Sequence, residues 1–406
     1  MYTIKNKYVV LLGALLAQVT IAALYAWSIL STALQAEHGW TSDQTFFPYA
    51  LAQFVFALST LLSGRLVDSK GPRVSLAIGG LLYGTGFILS SFATTPQMLL
   101  LTYGVIAGAG VGFVYVCPLS TLIKWFPNYR GMITGLAVGV FGGGSIIAKS
   151  LFSNLLESNT VAETFLKIGL ISMGLILAGA ALTNNPSDFV KKAAERGQGD
   201  FTTKEMVKTK KFKLTWLMYW LAVIPGLLVL GAAKNIGMEV AGLNEVAAGG
   251  VITLLAIANA SSRLISGTLS DKIGTLNVLR IAFGFTIVSL LALSLLSGST
   301  LVFYLGAAGI AVGYGGFLAL FPTFTNQEFG SFRYASNYGV VYQAYGLAAL
   351  TGIMIKRLAG SYTTTFIISA VASTIGLAIA FVIRERKAEA KAVKLAKQTA
   401  AVLNVE

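Results

Sequence analysis

The sequence is short of charge. Only 11% of its 406 residues are charged, and 55% are hydrophobic, whereas a typical soluble domain is about 25% charged. The single cysteine, Cys117, lies in an apolar run, so neither a disulfide framework nor a cysteine metal cluster is available. The single histidine, His38, falls in a short hydrophilic loop. The acidic residues number 16, and every one lies in a loop, in the C-terminal tail or at the end of an apolar run. A membrane enzyme would need clustered acids, bases or metal ligands, and these counts leave none to work with. No catalytic residue, metal or cofactor is therefore expected. There is also no G-x-x-x-x-G-K-(S/T) loop for ATP. The G-A-G-V-G at 108–112 is not a nucleotide loop, because it sits inside an apolar helix with no strand before it. Alternating ten-residue segments are missing as well, which excludes an outer-membrane barrel.

What the sequence has is long apolar runs. Hydropathy and breaker residues predict twelve spans, at 8–32, 45–64, 74–93, 97–122, 131–153, 163–184, 213–233, 246–269, 277–297, 300–323, 336–357 and 361–383. MYTIKNK and the run after it are read as an uncleaved first helix, since the run is too long for a signal peptide. The expected organisation is an N-terminal six-helix bundle (1–184), a basic linker (185–212), a second six-helix bundle (213–384) and a basic tail (385–406). The net charge of +14 invites a nucleic-acid reading, but its placement argues otherwise. Most Lys and Arg fall in the loops and tail on the side that carries both termini, as the positive-inside rule requires of a cytoplasmic face. The expectation is a multi-pass protein of the inner (plasma) membrane, monomeric, with both termini cytoplasmic and membrane lipid, not nucleic acid, around it.

The two halves repeat. GRLVDSKG at 64–71 is echoed by GTLSDKIG at 267–274, and one constant offset pairs Gly64 with Gly267, Asp68 with Asp271, Gly71 with Gly274, Gly110 with Gly313 and Arg130 with Arg333. Repeats of the same orientation are the parallel arrangement of a two-bundle transporter. The fold class is thus all-α membrane protein, twelve transmembrane helices in two pseudo-symmetric bundles.

GRLVDSKGPR and its echo resemble the loop signature of the major facilitator superfamily, and the resemblance covers the whole chain. It implies that Asp68 and Arg73, with Asp271 in the second copy, belong to a charge network that holds one conformation closed on the inner side. A narrower resemblance comes from GAGVGFVYVCPLSTLIKWFPNYRGMITGLAVGVFG (108–142), SRLISGTLSDKIG and FGSFRYASNYGVVYQAYG (329–346). These are similar to segments of the oxalate:formate antiporter and bacterial monocarboxylate (lactate) transporter group. The resemblance implies an Arg in span 8 that meets the substrate carboxylate, which transfers to Arg263.

The residues themselves agree. Arg263 lies eight residues, about 12 Å at 1.5 Å each, from Asp271 at the inner surface. A mid-span Arg costs roughly 2.5–3.5 kcal/mol on insertion scales and marks a pathway. No span offers it a carboxylate, so a ligand carboxylate is its natural, bidentate partner. Asn259 is one turn away on the same face. Related eukaryotic monocarboxylate transporters carry an Asp at this kind of position, tied to proton coupling, whereas Asn cannot release a proton. Tyr115, Tyr314, Tyr345 and Gln343 lie at similar depth and are the remaining candidate substrate contacts. In the dicarboxylate-handling antiporter a Lys stands where this chain has Tyr345, so a single cation points to a monoanion. Lys149 is assigned to a span but lies near its outer end, where a Lys snorkels to water.

The expected function is a secondary active transporter of small monocarboxylates (L-lactate, pyruvate or similar) by alternating access, with a proton as the expected co-transported partner. Anion exchange and uniport also fit. Oxalate/dicarboxylate:formate exchange with Lys149 as second cation is the alternative. A passive anion channel fits less well, because equivalent positions of the two halves differ, Val111 against Tyr314 and Tyr115 against Leu318.

Overall fold

The computed structural model describes residues 4–187, 200–296 and 298–384. The expected tail (385–406) and residues 188–199 of the expected linker lie outside the described residues. Six helices come first: α1 (Lys7–His38), α2 (Ser42–Lys70), α3 (Pro72–Ser90), α4 (Pro96–Trp125), α5 (Arg130–Ser158) and α6 (Val161–Ala181). A short helix, Thr203–Lys208, leads into α7 (Lys210–Ala241), α8 (Glu245–Ile273), α9 (Thr275–Leu295) and α10 (Thr300–Phe329). The next helix, α11, is broken into Tyr334–Val341 and Gln343–Ala359, and α12 is Tyr362–Val382. Eleven helices among the described residues are long and apolar enough to cross a membrane. The twelfth, α11, is absent from that set because its break at Tyr342 leaves two shorter pieces.

Local chemistry sets the boundaries. Thr41, Thr160 and Thr202 form capping boxes with Gln44, Glu163 and Glu205, each pair satisfying two otherwise orphaned N–H groups. The expected loop 64–71 is helical up to Lys70, and only Gly71 makes the turn. Its φ of 86° is matched by 89° at Gly274 in the second copy, a conformation that a Cβ disfavours. The repeat is therefore one of geometry as well as letters. The start of α7 at Lys210 likewise falls inside the stretch expected as linker.

Within each bundle, small residues bring backbones together. A Cβ on Gly84 would stand 2.9 Å from the Gly169 carbonyl, and one on Gly169 would stand 2.8 Å from the Gly84 carbonyl, which locks α3 on α6. Such contacts replace the hydrophobic drive that lipid cannot supply between helices. The outer faces expose large apolar side chains, Phe285, Val288 and Leu295 of α9 among them, as a lipid-facing surface requires.

The bundles meet along two related crossings, α2 on α11 and α5 on α8, both on the side where α1 begins and α12 ends (the terminal side). There Gly131 and Gly267 face each other so closely that a Cβ on either would lie 2.2–2.3 Å from the other's carbonyl oxygen. Gly64 and Gly339 serve the α2–α11 crossing in the same manner, against Ala335 and Thr60. The terminal side is thus shut.

Candidate functional site

Arg263 of α8 is 1% exposed, and it heads the fully buried side chains by volume. Its Nε donates to Asn259 Oδ1 at 3.1 Å, and its Nη1 donates to the Val138 carbonyl of α5 at 2.6 Å. Both acceptors are neutral. Gly142 makes room for the guanidinium, since a Cβ there would sit 2.6 Å from Nη1. Asn259 in turn is pressed on by Gly315 of α10, whose Cβ would lie 2.3 Å from the Asn259 carbonyl. The glycine after Tyr314 in the V-G-Y-G-G-F run of α10 therefore lets its backbone approach α8 closely.

Tyr314 and Tyr345 join this group, with their hydroxyls 3.4 Å apart. Tyr345 stacks on Tyr342 at 5.0 Å and 12°. Tyr115 packs against Tyr342 at 5.1 Å and Phe141 at 5.3 Å, so it lines the aromatic wall beside the Arg263 group. Tyr25 is a residue that sequence reasoning missed. It lies in a 3-10 turn, Ala22–Ala26, within α1, and its hydroxyl is directed at Arg263 and Tyr345. Its apolar setting, IAALYAWS, carried no signal of that role.

Gln343 does not join the group. Its Nε2 donates to the Ala57 carbonyl at 2.7 Å, to Gly339 at 2.8 Å and to Thr60 Oγ1 at 3.2 Å. This side chain faces α2, where it ties the bundles together instead of facing Arg263.

The gating candidates lie at the ends of α2 and α8 and in the first turn of α3. Asp68, at the end of α2, accepts from the backbone N–H of Ser336 at 2.8 Å and of Ala335 at 3.4 Å, at the start of α11. Asp271, at the end of α8, accepts from Gly131 N–H and Met132 N–H, both at 2.8 Å, at the start of α5. Each carboxylate thus caps a helix N-terminus of the opposite bundle, where partial positive charge favours an anion. Arg73 is different. Its Nη2 donates to the Ala181 carbonyl at 3.2 Å, which joins α3 to α6 inside one bundle. Arg130 crosses between bundles through its Nη1, which donates to Asn326 Oδ1 of α10 at 2.8 Å.

The arrangement offers a buried, permanently charged guanidinium whose protein partners are neutral oxygens, ringed by phenols. Such a group is electrostatically incomplete, because a buried cation is normally offset by a charge of opposite sign. Among the described residues no group of His, Cys, Asp and Glu is suited to hold a metal ion.

A family model described as the Major Facilitator Superfamily matches residues 10–353. The chain is 31% identical to an uncharacterized transporter of the same type from Escherichia coli (strain K12), over 85% of this chain and 86% of that one. It is 29% identical to the oxalate:formate antiporter of Oxalobacter formigenes, over 98% and 96% of the two chains. Among solved structures it superposes on the superfamily transporter FucP in its outward conformation with a TM-score of 0.72. That match covers 93% of this chain and 99% of the other at 16% identity, a likeness of fold.

Proposed function

The chain belongs to the major facilitator superfamily, and we propose that it carries small monocarboxylates across the membrane by alternating access. The bodies that rock are residues 1–184 and 213–384, and the cargo binds between them at Arg263. The observation that carries this reading is the burial of Arg263 with, among the described residues, only neutral oxygens as partners. A carboxylate completes that pair through two parallel N–H···O bonds. Asn259 holds the guanidinium in place, and Tyr25, Tyr314 and Tyr345 supply donors for the remaining oxygens of a lactate- or pyruvate-sized ligand. The likeness to an oxalate:formate antiporter supports a small carboxylate as the cargo class. Tyr345, at the position where that antiporter carries a Lys, favours one negative charge over two.

The test is uptake of labelled L-lactate, pyruvate, formate and oxalate into proteoliposomes, with and without a pH gradient, by wild type, Arg263→Ala and Arg263→Lys. Monocarboxylate uptake that Arg263→Ala abolishes and Arg263→Lys restores only in part is the expected result. Stimulation by an inward proton gradient would identify symport, and stimulation by internal carboxylate would identify exchange. Arg263→Ala transporting at the wild-type rate sinks the assignment.

A further inference from the structure

A second cation belongs to the same route. Lys149 of α5 is exposed, and it lines an open cleft of about 460 Å³ together with Ser28, Ile29, Thr32, Ala33 and Ala36 of α1 and Leu156 of α5. Lys149 lies seven residues beyond Gly142, the residue against the Arg263 guanidinium. Seven residues are two helical turns, so Lys149 shares the face of Gly142 and stands about 10 Å further from the shut terminal side. The α1 wall shows the same register. Ser28, Thr32 and Ala36 recur at four-residue intervals along one stripe, immediately after the 3-10 turn that carries Tyr25. Two helices that touch the Arg263 group therefore both continue into this cleft.

The chemistry of the cleft suits the same cargo. Among the described residues no carboxylate is paired with Lys149. Ser28 adds an exposed hydroxyl, while Ile29, Ala33, Ala36 and Leu156 form an apolar wall. The main-chain rise of about 10 Å from Gly142 to Lys149 suits two successive stops for an anion along one route.

We propose that Lys149 and Ser28 form an outer subsite that captures a small carboxylate anion before it passes down to Arg263. This inference rests on the carboxylate-transport reading. A unit charge at about 10 Å in a partly aqueous cleft changes an anion's local concentration by about three- to tenfold. Lys149→Gln is therefore expected to raise KM for the transported monocarboxylate by that factor with little change in Vmax, and Lys149→Arg to restore it. Added salt should raise the wild-type KM and leave that of Lys149→Gln almost unchanged.

A second measurement needs no transport. The native Cys117 is buried, so Ser28→Cys provides a single reachable thiol. With Lys149 present it should react several-fold faster with an anionic methanethiosulfonate than with a cationic one, and Lys149→Gln should abolish that preference. A wild type that moves no monocarboxylate, while the reagent preference follows Lys149, overturns the transport reading and keeps an anion-selective cleft. A wild type that transports, with KM and reagent preference both indifferent to Lys149→Gln, overturns the subsite alone. Failure of Ser28→Cys to react with either reagent also overturns it, because the cleft is then closed to water.

Discussion

Removing the charge of Asp68 or Asp271 should open the terminal side of the protein. Each carboxylate takes two backbone N–H bonds from the first turn of a helix in the other bundle, and three of these four contacts are 2.8 Å long. The bonds exist only while the two bundles are closed on that side. Asn retains one acceptor oxygen but loses the other bond's charge assistance and the attraction of the helix terminus. Hydrogen bonds to charged groups contribute about 1.5–3 kcal/mol against about 0.5–1.5 for neutral ones, and a charge at a helix end adds about 0.3–1 kcal/mol. The net loss per substitution is about 1.5–2 kcal/mol, or roughly a 10- to 30-fold shift towards the open state. The two sites share no partner, so their effects should add.

Ser270 reports that state. It is 2% exposed, with its hydroxyl against Gly131 at the α5–α8 crossing, so a thiol there reacts only when the crossing parts. In a Cys117→Ser background, Ser270→Cys should be alkylated by N-ethylmaleimide about tenfold faster after Asp68→Asn or Asp271→Asn, and faster still in the double variant. Alkylation within twofold of the parent for both single variants would refute the idea that these carboxylates hold the bundles together.

Two further substitutions test the centre of the molecule. Gly142→Ala places a methyl 2.6 Å from Arg263 Nη1 and 2.7 Å from Cζ, which must push the guanidinium off the Val138 carbonyl. Carboxylate affinity should fall about tenfold, the loss of one charge-assisted bond, while thermal unfolding in detergent stays near that of wild type; unchanged affinity by calorimetry would contradict the geometry. Tyr314→Phe and Tyr345→Phe each remove one partner of a shared hydroxyl contact, so their effects on binding should be non-additive by about 0.5–1 kcal/mol in a double-mutant cycle. Strict additivity would mean that the two phenols act separately.

Much of the architecture was legible in the sequence, and the exceptions have a common cause. Long apolar runs, the doubled G-x-L-x-D motif and one cation with no acid nearby are signals that survive in any membrane helix. They led to the helices, to Arg263 beside Asn259, and to Asp68 and Asp271, whose expected charge network proves to be contacts with backbone N–H groups of the opposite bundle. Face assignment is another matter. In a soluble helix the polar stripe tells the core side from the solvent side, but here lipid and protein interior are both apolar. Hence Tyr25 was invisible within IAALYAWS, and Gln343, placed with the candidate contacts by depth alone, turns out to clasp α2. The 3-10 turn at Ala22–Ala26 and the break at Tyr342 contain neither Pro nor Gly, so no breaker residue announced them. Neighbouring helices, not local propensity, hold those backbones.

The repeat also behaves differently at the gate and at the centre, and the difference has a physical basis. Asp68 and Asp271 do the same work against α11 and α5, with matching turns at Gly71 and Gly274. A rocking motion about a pseudo-twofold axis parts both crossings at once, so equivalent locks on each are what the motion selects. The centre has no such requirement. A two-fold set of guanidiniums would place two buried cations near one monoanion, leaving one of them uncompensated in a dry interior at a cost of several kcal/mol. Arg263 accordingly has no counterpart in the first bundle, and Tyr314 and Tyr115 stand opposite Val111 and Leu318. Symmetry broken at the centre and kept at the terminal side is the pattern expected when one charge is carried and two bundles move.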